Sequence, residues 1–307
     1  MRKISLFFIP ILFLPLLTSC AQANNSPVKG KFVFYGIRDV KVGWAAYILK
    51  EGKLSVLGKK LTVPVFSPDG KTIAATHEKG IVLLDDEGNQ QDLIELERRP
   101  GKLRWHPDGH KIFYSIETLD RFFLRMYDLK KKEDRLLLDM SQDAGFGAIR
   151  PSRDGRKVLL WVHYLRTPEK GGLFLFDLEQ SSLKLLLRNG VGPNWHPDGK
   201  HIYFDTNKDE SGKLINNKLG AIFKMNLETG ETTKIQDLEK ASFLSPIKLS
   251  HDGKYFYSSM PCGQDGQNIV AWPVGNPKKE ITITACVSLG EGAGLSQDLD
   301  PDWYQGE

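Results

Sequence analysis

The stretch Trp195–Asp205, WHPDGKHIYFD, decides the fold. Pro197 presets φ for the first central position of a type I turn. Asp198 suits the second, and Gly199 takes the left-handed position that follows. Beyond the turn, Lys200, Ile202 and Phe204 alternate with His201, Tyr203 and Asp205, a period of two in residues that favour strands. The stretch reads as a strand end, a tight turn and a second strand. It returns as FSPDGKTIAAT from Phe66, WHPDGHKIFYS from Trp105, PSRDGRKVLLW from Pro151 and LSHDGKYFYSS from Leu249. The turn aspartates Asp69, Asp108, Asp154, Asp198 and Asp252 lie 39, 46, 44 and 54 residues apart, which fits a four-stranded unit with loops of varying length.

After each hairpin a variable loop leads to a third strand, and a short turn to a fourth. Examples are GIVLLDDEGNQQDLIEL, FFLRMYDLKKKEDRLLL and GLFLFDLEQSSLKLLL. The first unit has no opening strand and begins at Lys31 with KFVFY. Asp300-Pro301-Asp302-Trp303 near the other end matches the opening strand of the other units. Pairing the two ends in one unit removes two exposed sheet edges. The expected fold is all-β: a six-bladed β-propeller over residues 31–307, closed by pairing of the C-terminal strand with the N-terminal strand.

The chain has 307 residues and 40% hydrophobic content, enough for a substantial core. Lys plus Arg is 42 and Asp plus Glu is 38. Arg2 and Lys3 lie in a segment expected to be removed, which leaves 40 basic against 38 acidic residues. That balance is too small to argue for nucleic acid as a partner. The segment, MRKISLFFIPILFLPLLTSC, has a positive start and an apolar run too short to span a bilayer. Its end, Leu17-Thr18-Ser19-Cys20, resembles the lipobox of bacterial lipoproteins. The resemblance implies removal of residues 1–19, lipidation of Cys20, a tether over residues 20–30 and a membrane anchor made of several acyl chains. Ala21 after the cysteine leans, by analogy with the sorting rule, towards the outer membrane. Cys262 and Cys286 remain. An exported compartment permits a disulfide between them, worth about 3 kcal/mol for such a loop, and two buried thiols are the alternative.

The recurring P-x-[WF]-S-P-D-G-K-x-I-x-F pattern resembles that of TolB-like bacterial β-propellers, from about Lys31 to the end. The resemblance implies an exported six-bladed propeller, used in that family mainly to hold protein partners and in some relatives for catalysis. The family's name-bearing member carries an additional N-terminal α/β domain. Residues 21–31 offer no counterpart, so the propeller alone carries over.

In such a blade the Asp-Gly turns share one face. The loops joining second to third strands, and blade to blade, share the other, which is the expected binding face. Its candidates are Arg38, Asp39, His77, Arg98, Arg99, Asp120, Arg121, Asp143, His163, Arg166, Asp205, Asn207 and Lys208, a mixture of signs suited to a polar protein or small-molecule surface. Repeat position accounts for the histidines in and after the turns. His77 and His163 end second strands, on blades taken as adjacent, and can act as ligands or bases, yet two histidines make at most half a metal site. Asp205, Asn207, Asp209 and Ser211 have calcium-loop spacing, but Glu210 replaces the glycine and Asn216 the bidentate glutamate. No metal or cofactor is expected. Trp105, Trp195 and Trp303 share one repeat position and are expected in the core or packed between blades, not as a sugar platform. Gly-x-Ser-x-Gly and His-Glu-x-x-His motifs do not occur. The expectation is a lipid-anchored periplasmic propeller, without catalysis, that binds an envelope protein or peptide. The alternative is a lyase or hydrolase on glycans or peptides with its site at the channel mouth.

Overall fold

The structure, a computed structural model, describes residues 29–37, 44–118, 121–141, 144–164, 166–206, 220–238, 247–262, 266–284, 287–288 and 302–305. It is nearly all β, in six antiparallel sheets arranged as the blades of a propeller. Blade 1 runs Asp302–Tyr304, Lys31–Ile37, Trp44–Lys50, Lys53–Lys59. Blade 2 runs Thr62–Phe66, Ile73–His77, Gly80–Leu84, Gln90–Glu95. Blade 3 is Leu103–Trp105, Lys111–Glu117, Arg121–Asp128, Glu133–Ser141, and blade 4 is Ala144–Pro151, Lys157–Tyr164, Gly172–Asp177, Ser182–Leu187. Blade 5 is Val191–Trp195, His201–Thr206, Ala221–Asn226, Thr232–Asp237. Blade 6 is Lys248–Leu249, Tyr255–Cys262, Gly266–Pro273, Ile281–Thr282, with Val287–Ser288 also paired to Gly266–Pro273.

The Asp-Gly turns have one geometry. Gly70, Gly109, Gly155, Gly199 and Gly253 all sit near φ +70°, between 66° and 74°. Each turn aspartate accepts a hydrogen bond at Oδ1 from the backbone N–H two residues on, at 2.8–3.1 Å. The left-handed glycine and the Asx-type bond are local, so a short sequence suffices to specify them.

Six apolar clusters fill the spaces between successive blades. Phe34, Tyr47 and Ile269 belong to the cluster between blades 1 and 6, whereas Val33, Ile48 and Ile73 belong to the one between blades 1 and 2. The remaining clusters join blades 2 to 3, 3 to 4, 4 to 5 and 5 to 6. Period-two alternation sends odd and even residues of one strand to two different interfaces. The middle strands therefore read as continuous apolar runs, such as Gly80–Leu84, which is buried throughout. Outer strands such as Gln90–Glu95 are exposed at most positions and carry polar side chains on the free edge.

Of the two places expected for the three tryptophans, core or blade interface, the structure shows the interface. Trp105 Nε1 donates to Val65 O of blade 2 at 3.2 Å, and Trp195 Nε1 donates to Arg150 O of blade 4 at 2.8 Å. Trp303 lies opposite Phe32 in the antiparallel register of Asp302–Tyr304 with Lys31–Ile37. It stacks on Phe32 at 5.0 Å and meets Tyr257 of blade 6 edge-on at 5.5 Å. No helix among the described residues is long and apolar enough to cross a membrane.

Candidate functional site

The blade-to-blade loop Arg98–Lys102 and the ends of second strands converge on a cavity of about 400 Å³ on the loop-rich face. Tyr35, Phe122 and Phe146 give it aromatic wall, and Arg99, Lys102 and His163 supply nitrogen-bearing groups. Arg99 donates from Nη2 to Thr62 Oγ1 at 2.8 Å, and Thr62 Oγ1 in turn meets Thr76 Oγ1 at 2.6 Å. The cationic side chain is thus aimed by hydroxyls of the second blade. The His163 imidazole packs beside Trp161, at 6.1 Å between ring centres, and over Gly145, where a Cβ would collide with it. Loss of solvent around this ring, reinforced by the Lys102 charge, lowers its pKa below the ordinary histidine value, with Glu117 opposing. His163 therefore enters this cavity as a neutral imidazole at neutral pH, able both to donate and to accept.

Val63, also on the cavity wall, has φ +49°. A β-branched residue in the left-handed region is strained by roughly 1–3 kcal/mol. The register slips here, between Thr62 and Val65. Blade 5 slips at the matching place, between Val191 and Asn194, and supplies Gly192 at φ +56°. The bulge requires that conformation, and blade 2 meets it with valine.

Of the other residues singled out by sequence, His77 accepts at Nδ1 from Lys79 N at 3.3 Å in its own turn, and it does not line this cavity. The two histidines are not on adjacent blades as expected: His77 stands on blade 2 and His163 on blade 4, with blade 3 between. Arg98 borders a separate cavity of about 360 Å³ between blades 2 and 3, where Arg125 Nε donates to Asp134 Oδ2 at 2.8 Å beside Tyr114. Arg121 is paired with Asp139 at 2.8 Å on the exposed outer half of blade 3. Arg166 is exposed ahead of the short 3-10 turn Pro168–Lys170. Arg38, Asp39, Asp120, Asp143, Asn207, Lys208, Cys20 and Cys286 lie outside the described residues. Cys262 ends the strand Tyr255–Cys262, and its side chain lies outside them too.

Asp205 stands apart. Its register partner is Val191, and a Cβ on Gly192 would collide with its Oδ1. That oxygen is buried and has no hydrogen-bond partner. Burial raises the carboxyl to about 7, with a backbone hydrogen bond opposing. The same repeat position holds Tyr35, Thr76, Ser115, Trp161 and Ser259 in the other blades. Blade 5 alone places a carboxyl there.

Among the described residues, one cluster has metal-ligand chemistry. His196, Asp198 and His201 bring their ligand atoms within 4.8 Å of one another. Each of those atoms already serves the turn: Asp198 N donates to His196 Nδ1 at 3.2 Å, and His201 Nδ1 meets Asp198 Oδ2 at 2.7 Å. Blade 3 uses Lys111 against Asp108 in the same place. Turn geometry accounts for the cluster, as the repeat position suggests.

A second mouth of the channel was not foreseen. The residue before the Trp or its equivalent in each opening strand is Val65, Arg104, Arg150, Asn194, Lys248 and Asp302 in successive blades. All but Val65 line one cavity of about 220 Å³ on the Asp-Gly turn face. The signal was present in the repeat as its variable position, visible only once the six units are aligned.

No family model and no curated protein sequence matches the chain. Solved structures share its fold. TolB from Acinetobacter baumannii superposes with a TM-score of 0.66 over 91% of this chain and 67% of its own, at 14% identity. A putative TolB from Agrobacterium tumefaciens gives a TM-score of 0.59 over 90% and 97%, at 16% identity. Oligogalacturonate lyase in complex with manganese gives 0.59 over 82% and 73%, at 14% identity. At such identities the likeness is one of architecture, and the chain has the six-bladed β-propeller fold that TolB proteins share with propellers of other activities.

Proposed function

We propose that the protein is an exported, lipid-anchored propeller that binds an envelope protein or peptide through its loop-rich face. The observation that carries this reading is the cavity beneath Arg99 and His163. An aromatic wall with a rim of Arg99, Lys102 and Glu117 and a neutral imidazole suits a protruding side chain of a partner, with the rim fixing orientation. The fold shared with TolB supports a binding role. Cys20 supplies the anchor and the tether keeps the propeller close to the membrane. The test is capture from envelope extracts, after crosslinking, by the full-length protein and by a variant carrying Arg99→Ala and Phe122→Ala. Loss of one specific partner, with thermal unfolding unchanged, supports the reading. Identical capture by both proteins refutes it.

A second reading is favoured by Asp205. A buried carboxyl raised to about 7 still carries its proton part of the time at neutral pH and is suited to general acid chemistry. The fold shared with a lyase is compatible with a glycan substrate. A catalytic role requires turnover of an oligosaccharide or peptide that Asp205→Asn abolishes. Retained turnover in the folded variant overturns it.

A further inference from the structure

We propose that the turn-face mouth of the channel is a binding site for a compact, multiply charged oxyanion bearing carboxylate or phosphate groups. The site lies at the opposite end of the channel from the loop-rich face and shares no residue with the cavity of Arg99 and His163. It stands or falls separately from the partner-binding reading.

Charge makes the first argument. Arg104, Arg150, Arg153 and Lys248 surround this cavity, and among the described residues that line it Asp302 is the one carboxylate. The excess is local, since the whole chain is nearly balanced. Burial, and then the Arg153 charge, lower the pKa of the His251 imidazole beside them. Four cations around one concave, low-dielectric mouth focus a positive potential on its centre.

Geometry makes the second. Arg104 and Arg150 occupy the same repeat position on adjacent blades, and each donates from Nη1 to the carbonyl of its preceding residue, at 2.7 and 3.2 Å. These bonds hold the guanidinium groups against the wall, so less freedom is lost when a planar carboxylate or a phosphate meets them. Arg153 donates to Pro197 O at 3.5 Å and to His251 O, which ties the turns of blades 4, 5 and 6 into a fixed rim. Asn194 gives both amide hydrogens to Gly192 O and Ile247 O, each at 2.8 Å, and accepts from Leu249 N. It is a brace between blades 5 and 6 and not a ligand group.

Size selects the class of anion. The cavity has a volume of about 220 Å³. That admits a small di- or tricarboxylate or a phosphate, and excludes a folded acidic domain. Asp302 tunes the site: its Oδ2 accepts from Phe66 N at 2.9 Å, which fixes one negative charge at the edge of a positive field.

The experiment is calorimetric titration of the full-length protein in detergent, at low ionic strength, with citrate and with inorganic phosphate, and with glycerol as a neutral control. Saturable one-to-one binding of citrate or phosphate is expected, weakened by added sodium chloride. Whichever of the two binds more tightly identifies the carboxylate or the phosphate as the natural group. Arg104→Gln and Arg150→Gln should each weaken it about tenfold, as expected for loss of one charge-assisted pair. Asp302→Asn keeps an acceptor for Phe66 N and should tighten binding severalfold. This variant keeps the test decisive if the arginine variants fold poorly. Absence of saturable binding, equal affinity in wild type and Asp302→Asn, or binding of an acidic peptide but of neither small anion overturns the proposal.

Discussion

Replacing Trp303 by alanine tests whether the last strand is an integral part of blade 1. The side chain is 6% exposed and stacks on Phe32 at 5.0 Å. It meets Tyr257 edge-on and donates from Nε1 to Lys29 O at 3.1 Å. Truncating a buried Trp to Ala costs about 3–5 kcal/mol, to which each well-formed aromatic pair contributes about 0.5–1.5. A loss of about 4 kcal/mol is expected, or a fall in Tm of roughly 7 °C for a domain of this size. Trp195 provides the internal control, because it holds the same repeat position on blade 5 and is only partly buried. Its truncation should cost about 2 kcal/mol. Urea unfolding followed by far-UV circular dichroism, with thermal unfolding alongside, measures both. If Trp303→Ala shifts the midpoint no more than Trp195→Ala, the terminal strand is a frayed end and the reasoning fails.

Two turn glycines with the same backbone should respond differently to alanine. At Gly70 a Cβ would collide with the Tyr304 ring, whereas at Gly109 it would meet nothing within 4 Å. Gly109→Ala should cost about 1 kcal/mol from its positive φ alone, and Gly70→Ala at least twice that, both read by urea midpoints. Asp205→Asn should change the pH dependence of stability. A carboxyl raised to about 7 in the folded state holds its proton between the unfolded value near 4 and that pH, so its burial destabilises increasingly as pH rises through the interval. The variant should be more stable than wild type at pH 8, by an amount on the order of a few kcal/mol, and nearly equal to it at pH 3.5. An unchanged difference across this range would falsify the assignment.

The turns were legible because everything that fixes them lies within six residues: the proline or its substitute, the aspartate that closes on its own chain, and the left-handed glycine. Blade membership followed from counting, and so did the place of the tryptophans. The sites were harder to read for a physical reason. A propeller builds its channel from one residue per blade, and those residues are 39 to 54 apart in the chain, so no local motif spells them. Arg104 and Arg150 looked like ordinary strand residues until their shared register put them on one wall. Solvent exposure was equally opaque: a calcium-like spacing drew attention to Asp205, while its distinctive property is an oxygen buried over Gly192. Repetition itself supplies the remedy. At a position where five blades hold uncharged side chains and one holds a carboxyl, or where a bulge that takes glycine in blade 5 takes valine in blade 2, the fold has no need of the exception. Such departures are destabilising on their own, through an unsatisfied oxygen at Asp205 and a strained backbone at Val63. Selection for stability alone would favour Ser or Thr at position 205, as blades 2, 3 and 6 have, and glycine at position 63, as blade 5 has. Both exceptions stand at the loop-side ends of opening and second strands, the places from which a ligand on that face is reached.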